Sequence, residues 1–201
     1  MLTLPAALAL AVAGQPIMLV LFSRGAFDAA SAGLSAQSLA AYAFGLPAIV
    51  LLKVLVPAFF AHGDTRTPVR VGMAAIALNL VLNLLFMVPL QHVGPALATS
   101  LSAMFNAAAL GMVLHRRGQL VPDARVRRRL PRMALAAAAM AAALWVGEDT
   151  VFAAAGTVAG LRWGALAVVV VSGMAAYAAA GQVLGAFDGR ELLGMVRRRG
   201  R

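Results

Sequence analysis

One lysine inside an apolar run is the residue most suggestive of a function. Lys53 lies within the apolar sequence from Leu46 to Phe60. A cation at that depth in a membrane helix is costly unless it is paired, hydrated or within reach of the interface, so it is a functional residue by default. Two interpretations remain open. Lys53 faces a cavity or substrate path, or its long stem reaches toward the membrane surface.

The polar turn after this run gives Asp64 two candidate roles. Paired with Arg66 or Arg70, the carboxylate would form a charged gate at the end of the helices. Alternatively, the turn is a well-capped helical hairpin, in which Gly63 ends one helix and Thr67 caps the next, just before a proline at the first helical position. The spacing favours the hairpin and leaves the gate as the alternative.

Polar side chains in two later apolar runs form a candidate cation site. Asn79 and Asn83 are four residues apart, so both amides lie on one helix face, and Thr99 adds a hydroxyl oxygen from the next run. These oxygens suit a hard cation such as sodium, with a carboxylate supplied from outside this chain. The commoner role of such side chains is to bridge helices, at about 0.6 kcal/mol per hydrogen bond.

Small residues mark the last apolar run. Gly181 and Gly185 form a G-x-x-x-G motif, and Gly173 lies about two turns earlier. Such a face lets two helices approach closely, or leaves a groove that a lipid chain fills. The motif alone leaves both roles open, and the second role makes the three glycines a candidate lipid-tail groove.

These candidates belong to a chain that is too apolar for a water-soluble domain. Of its 201 residues, 62% are hydrophobic and 12% are charged, against about 45–50% and about 25% in soluble domains. A bilayer core of about 30 Å needs about 20 apolar residues per helix. The runs that meet this need are about Leu4–Phe22, Leu39–Ala61, Pro68–Leu90, Val93–Leu114, Met133–Val146 and Trp163–Ala186. We therefore predict an all-α integral membrane protein with six transmembrane helices.

A polar segment separates the first two runs. Asp28 is placed to cap a short amphipathic helix that extends toward Gln37. We expect this short helix to lie at the interface before the chain re-enters the bundle.

The basic residues predict an orientation. With six helices in series, fourteen of the 17 Lys and Arg residues fall on one side, Arg24 and Arg162 fall on the other, and Lys53 lies within a span. Because cytoplasmic loops carry the excess of Lys and Arg, both termini are expected in the cytoplasm. The net charge of +10 then reflects the orientation of the helices in the membrane, which argues against nucleic acid as a partner.

The residue types also argue against an enzyme. None of the six runs contains Asp or Glu, the chain has no cysteine, and the histidines lie at the ends of runs. These residues do not assemble a catalytic constellation. We expect no catalytic residue, no metal centre and no cofactor, apart from sodium as a candidate coupling ion.

The second run and the turn after it match a known family. The match is carried by residues 40–47, 52–61 and 64–70, with flanking agreement at 16–17, 21–27, 78–83 and 92–100. Together these stretches closely resemble the lipid II flippase family, MurJ (also called MviN). The resemblance covers about residues 4–117, and beyond it only the helix pattern agrees.

The resemblance implies a transporter of the multidrug/oligosaccharidyl-lipid/polysaccharide exporter superfamily, with two six-helix lobes and two further helices. It implies that the partners are the bilayer and the undecaprenyl-pyrophosphate-linked peptidoglycan precursor, which the family moves across the bacterial inner membrane by alternating access. The chain looks like the C-terminal six of fourteen helices, so the missing N-terminal lobe would be a further partner. The chain would be a truncated gene product, a chain with a mis-assigned start at Met1, or half of a split protein. We expect that this chain does not flip lipid alone.

This resemblance divides the chain into four parts. Residues 1–117 would form most of the second lobe, 118–131 an Arg-rich cytoplasmic loop, 132–187 a terminal helix pair that in the family lines a lipid-tail groove, and 188–201 a basic cytoplasmic tail. Lys53, Asp64, Arg66 and Arg70 become candidates for the substrate path or gate. Two alternatives remain: a non-transporting scaffold that binds cell-wall synthesis partners, and a drug exporter of the same superfamily.

Overall fold

The computed structural model describes residues 3–22, 28–120, 124–152 and 159–185. The described residues form α1 (Thr3–Val12), α2 (Gly14–Phe22), α3 (Ala29–Ala61), α4 (Arg66–Leu90), α5 (Gly94–Arg116), α6 (Ala124–Gly147) and α7 (Ala159–Val183). A 3₁₀ turn, Gln91–Val93, joins α4 to α5, and a π-helical turn, Glu148–Phe152, follows α6. Because these ranges contain helices and no strand, the predicted all-α class is confirmed.

Several of these helices are long and apolar enough to cross a bilayer. Within the described ranges there are four such stretches, and a fifth if α1 and α2 are counted together. Those two helices are bent by 70° at a short break, where the sequence predicted a single span from Leu4 to Phe22. Pro16 explains the break, because it lacks an N–H group and its ring crowds the carbonyl of Val12.

One of the four stretches, Arg66–Arg116, is 51 residues long. This stretch is folded back on itself. In a straight helix Asn79 and Ser102 would lie about 35 Å apart, whereas Asn79 Nδ2 donates a hydrogen bond to Ser102 Oγ at 3.2 Å. The reversal occurs at Gln91, whose φ is 44°. The helices α4 and α5 therefore form an antiparallel hairpin. The total of six membrane crossings stays a prediction.

The chain forms two compact units, Met1–Pro16 with Pro122–Arg201, and Ile17–Val121. This division differs from the predicted group of residues 1–117, because α1 packs against α6 in the first unit. Leu4 and Leu8 of α1 contact the buried core around Ala136 and Val169.

The predicted loop 118–131 is also shorter than expected. The structure begins α6 at Ala124, so the run Arg127–Arg129 belongs to a helix. Arginine is a good helix former, and a run of arginines therefore does not by itself mark a loop. The predicted tail 188–201 lies outside the described residues.

In the unit Ile17–Val121, α3 and α5 run parallel and meet closely near Gly45. Ser100 Oγ donates to the carbonyl oxygen of Ala41 at 2.6 Å, and a Cβ on Gly45 would lie 2.7 Å from Ser100 Cα. Further along the same interface is a buried core, which comprises Ala48, Leu55, Phe59, Ala107, Leu110 and Leu114.

The start of α3 confirms one prediction and corrects another. Asp28 caps the helix, since its Oδ1 accepts from the Ser31 N–H at 2.8 Å. The separate short helix toward Gln37 was wrong, because α3 continues unbroken for 33 residues through Pro47 and Pro57. Its length of about 50 Å exceeds the hydrocarbon core of about 30 Å.

The hairpin predicts that His92 and Gln119 lie on opposite sides of the membrane. Both positions are exposed, and the chain has no cysteine, so a single cysteine at either one is a unique label. On intact spheroplasts, a membrane-impermeant maleimide should label His92→Cys, and it should label Gln119→Cys only after permeabilisation. Labelling of both variants from the same side would contradict the hairpin as two crossings.

Gly45→Ala should destabilise the unit Ile17–Val121. The added methyl group meets the Ser100 backbone, which cannot move without shifting α5. Overpacking of this kind costs about 1–3 kcal/mol, so thermal unfolding in detergent should occur several degrees lower. Gly111→Ala is the matched control, because a Cβ at that helical glycine meets nothing within 4 Å. Equal melting temperatures for the two variants would contradict the close approach.

Candidate functional site

The helix α3 ends in a turn that positions Asp64. The Gly63 N–H donates to Phe60 O and the Asp64 N–H donates to Phe59 O, both at 3.0 Å, while Gly63 has a φ of 73°. This pair of bonds with a left-handed glycine is the Schellman motif. The prediction that Gly63 ends the helix is therefore confirmed.

The helix α5 ends in the same way. The Gly118 N–H donates to His115 O at 3.0 Å, the Gln119 N–H donates to Leu114 O at 3.0 Å, and Gly118 has a φ of 69°. Because α3 and α5 are parallel, the two Schellman turns lie at the same end of the unit. Arg117, at the cap position of α5, is thereby brought to the turn after α3.

Asp64 connects the ends of α3, α4 and α5. Its Oδ1 accepts from the N–H groups of Arg66 at 3.1 Å and Thr67 at 2.9 Å. Its Oδ2 accepts from Thr67 Oγ1 at 2.6 Å and from Arg117 Nη1 at 2.7 Å. The Arg117 guanidinium also lies 5.6 Å from the centroid of the Phe59 ring.

These contacts correct two predictions about the turn. Asp64, and not Thr67, supplies the side-chain oxygen that caps α4. The Thr67 hydroxyl instead donates a hydrogen bond to Asp64. The ion pair forms with Arg117, while Arg66 and Arg70 are exposed and pair with no carboxylate in the described ranges. The Schellman turn explains why Arg117 is the partner, because this turn places Asp64 beside the end of α5.

The same donors determine the ionisation of Asp64. The hydroxyl and N–H of Thr67, followed by the Arg117 guanidinium, hold the pKa of this carboxyl well below its ordinary value. Asp64 is therefore an anion across the physiological pH range, and it neutralises Arg117 in preference to the other arginines at this end.

Lys53 lies on the exposed side of α3. The residues that α3 buries toward α5 include Leu55 and Phe59, and no carboxylate among the described residues pairs with Lys53. The lysine lies eight residues before Ala61, which is about 12 Å along the helix axis. Both interpretations of this residue, facing a polar path or reaching toward the surface, therefore remain compatible with its position.

The structure brings the three predicted cation ligands together between α4 and α5. Asn79 Nδ2 donates to Thr99 Oγ1 at 3.4 Å and to Ser102 Oγ at 3.2 Å. Asn83 Nδ2 donates to the backbone carbonyl and the side-chain Oδ1 of Asn79, at 2.9 and 3.0 Å. Thr99 in turn donates to the carbonyl of Pro95 at 2.9 Å. We call Asn79, Asn83, Thr99 and Ser102 the polar seam, and its contacts join the two helices.

An unpaired oxygen lies next to the polar seam in sequence. Asn106 is one helical turn after Ser102, and its Oδ1 is buried without a hydrogen-bond partner among the described residues. A buried acceptor without a donor is uncommon. This oxygen is therefore an unsatisfied acceptor among the described residues.

Two of the three glycines in the candidate lipid-tail groove lie in surroundings that differ from the prediction. A Cβ on Gly173 would lie 2.6 Å from Leu144 Cδ2, so the space beside this glycine is filled by a side chain of α6. Gly185 has a φ of 64° and follows the end of α7 at Val183, so it belongs to a turn. Gly181 is buried within α7. The G-x-x-x-G spacing therefore does not form a continuous helix face.

Sequence reasoning missed Arg117 as the partner of Asp64, and it left Ser102 out of the candidate cation site. Arg117 precedes a glycine, as His62 does, and two parallel helices that end in the same motif would have pointed to it. Ser102 lies three residues after Thr99 on the same helix face. Both signals depend on first knowing that α3, α4 and α5 are neighbours.

The fold and these clusters define a polytopic all-α membrane protein. Within the described ranges there is no group of three or more His, Cys, Asp or Glu residues that could hold a metal ion. A family model described as "Lipid II flippase MurJ" matches residues 1–166. Because the match covers most of the chain, the chain belongs to the MurJ lipid II flippase family.

Individual relatives agree with this assignment. A probable lipid II flippase MurJ of Rhizobium meliloti is 43% identical over 74% of this chain and 28% of the relative. One of Rhizobium tropici is 35% identical over 98% of this chain and 37% of the relative. One of Vibrio cholerae is 40% identical over 74% of this chain and 28% of the relative. The chain thus spans about a third of the length of these relatives, or less.

Loss of the Asp64–Arg117 pair should destabilise the unit Ile17–Val121 in detergent. Arg117→Gln should lower the melting temperature by a few degrees, because Asp64 loses its charged partner. Arg116→Gln is the matched control, since it removes an adjacent exposed arginine at the same helix end. Equal melting temperatures for Arg117→Gln and Arg116→Gln would show that the pair does not hold the helix ends together.

The pH dependence follows from the lowered pKa of Asp64. A carboxyl whose pKa is depressed by folding contributes stability above its unfolded value, here 3.8, and this contribution is lost as the pH falls through the folded value. Asp64→Asn keeps a capping oxygen but removes the charge. The stability difference between the parent chain and Asp64→Asn should stay constant from about pH 7 to about pH 5 and shrink below pH 3.8. A difference that does not change with acid would contradict this assignment.

Proposed function

We propose that this chain is part of a lipid II flippase in the bacterial inner membrane, with both termini in the cytoplasm. The observation that carries the proposal is the relative from Rhizobium tropici, which aligns with 98% of this chain. The full flippase would move the undecaprenyl-pyrophosphate-linked peptidoglycan precursor from the inner to the outer leaflet by alternating access.

The described helices do not supply a complete path for such a substrate. Moving a charged pyrophosphate sugar through hydrocarbon unaided costs tens of kcal/mol, so a flippase must provide polar groups throughout the crossing. In each unit the described apolar helices offer few such groups, and the polar seam is already engaged in hydrogen bonds between α4 and α5. The proposal therefore includes a further part of the flippase as a partner of this chain.

Lys53 is the residue we propose for the substrate path. It is exposed on α3, and its cationic head is complementary to a pyrophosphate. Exposure of a charge in the middle of an apolar helix is costly unless a polar path or a partner covers it. For Asp64, the contacts support a role in fixing three helix ends, and a gating role would require the Asp64–Arg117 pair to open.

Sodium remains a proposal for the polar seam. Support comes from the clustering of Asn79, Asn83 and Thr99, and from the buried, unpaired Oδ1 of Asn106. The opposing consideration is that the described donors and acceptors of the seam already satisfy one another. A carboxylate from elsewhere in the flippase would be needed to balance the ion.

The test is complementation of a flippase-depleted bacterium. Residues 1–201 alone should not restore growth, whereas a chimera should restore it when this chain replaces the matching 37% of the Rhizobium tropici relative. In the chimera, Lys53→Ala should abolish rescue and Lys53→Arg should retain it, because the arginine keeps the cation. The matched control is Arg116→Ala, which removes an exposed cation at a helix end and should leave rescue intact.

Each outcome of this experiment bears on the proposal. Rescue by residues 1–201 alone would contradict the need for a further part. A chimera that reaches the membrane in normal amounts but does not rescue growth would contradict the flippase assignment and favour the scaffold. Rescue by the Lys53→Ala chimera would remove Lys53 from the substrate path.

A further inference from the structure

Two arginines of α4 have no acidic partner among the described residues. Asp64 is engaged by Thr67 and Arg117, and no other described carboxylate pairs with Arg66 or Arg70. Both arginines are exposed. They are four residues apart, so their guanidinium groups lie on the same face of α4, one turn above the other.

An apolar stripe continues from these arginines along the same face. At helical spacing the next positions are Met73, Ala77, Leu80 and Leu84, and all four are exposed. The exposed fractions are 66% for Met73, 62% for Leu80 and 64% for Leu84. We call Arg66, Arg70, Met73, Ala77, Leu80 and Leu84 the Arg-headed stripe.

The stripe faces away from the rest of its unit. The residues that α4 buries, Pro68 and Ala75, lie on the opposite side of the helix, where α4 packs against α5. Across the unit Ile17–Val121, the described helices leave the stripe uncovered. Its apolar part is suited to a nonpolar neighbour, and its two cations are suited to an anion at one end.

The dimensions of the stripe match one leaflet of a bilayer. From Arg70 to Leu80 the helix rises about 15 Å, which is half of a hydrocarbon core of about 30 Å. A phosphate held between Arg66 and Arg70 would therefore lie at headgroup level, while an acyl chain extends past Ala77 to Leu80. Arginine also binds phosphate oxygens in a bidentate geometry that lysine does not offer.

We propose that the Arg-headed stripe is a binding site for an anionic glycerophospholipid. The phosphate binds the guanidinium groups of Arg66 and Arg70, and one acyl chain lies along Met73, Ala77 and Leu80. This assignment rests on charge complementarity at the head of the stripe and on the uncovered apolar face below it, and it holds whether or not the chain takes part in flipping.

The test uses a fluorophore on the stripe and brominated lipids as quenchers. The chain has no cysteine, so Ala77→Cys carries a single bimane label about 10 Å below Arg70. The labelled chain is reconstituted in vesicles that contain increasing fractions of dibrominated phosphatidylglycerol or of dibrominated phosphatidylcholine. Half-maximal quenching should require at least about fivefold less phosphatidylglycerol than phosphatidylcholine.

Two double variants separate the site from a general effect of charge. Arg66→Gln with Arg70→Gln should abolish the preference for phosphatidylglycerol, and Arg66→Lys with Arg70→Lys should restore part of it. Arg198→Gln with Arg199→Gln lowers the net charge by the same amount at a distant part of the sequence and should preserve the preference. Melting temperatures in detergent should match the parent chain, because the Arg66 and Arg70 side chains are exposed and pair with no described carboxylate.

Further results would overturn the proposal. Equal quenching by the two lipids, or a preference that survives Arg66→Gln with Arg70→Gln, would show that the arginines do not select a lipid. No quenching by either lipid would show that protein covers the stripe, from a second copy or another part of the flippase. Loss of the preference in millimolar inorganic phosphate would show a site for free phosphate instead of a lipid.

Discussion

The close approach of α3 and α5 at Gly45 sets the geometry of these two helices and of the turns that follow them. Because a glycine on one helix meets the backbone of Ser100 on the other, the two axes lie near each other and the helices pack in a fixed parallel register. Their Schellman ends then lie side by side, and Asp64 meets Arg117. Because Asp64 pairs with Arg117, Arg66 and Arg70 stay exposed at the start of α4. The contact between Gly45 and Ser100 therefore determines which arginines are free to bind at the membrane surface.

Much of the fold could be predicted because a bilayer permits few structures. Backbone polar groups in hydrocarbon must be satisfied internally, so long apolar runs become helices. The errors arose where the helix boundaries depended on other interactions. Pro16 divides the first span, the arginines near Arg128 continue a helix that was expected to be a loop, and Leu4 packs with the C-terminal helices. This last contact joins residues more than 100 positions apart, which periodicity does not reveal.

The candidate sites show the same distinction between local and distant interactions. Asn79 and Asn83 share a face because their spacing is helical, and Thr99 follows once the chain turns at Gln91. The partner of Asp64 could not be predicted in this way, because Arg117 is separated from it by 53 residues and reaches it only through the parallel pairing of α3 and α5. The G-x-x-x-G helix face was wrong for a different reason: the motif describes a helix face only if the helix includes both glycines, and Gly185 lies beyond the end of α7.

The polar seam also has a consequence for biogenesis. An isolated α4 would expose the amides of Asn79 and Asn83 to hydrocarbon during its entry into the membrane, and α5 would expose Thr99 and Ser102 in the same way. The short Gln91–Val93 connection lets the two segments leave the translocon as a pair, with these groups already satisfying one another. Co-insertion of neighbouring helices thus removes the cost that each would incur alone.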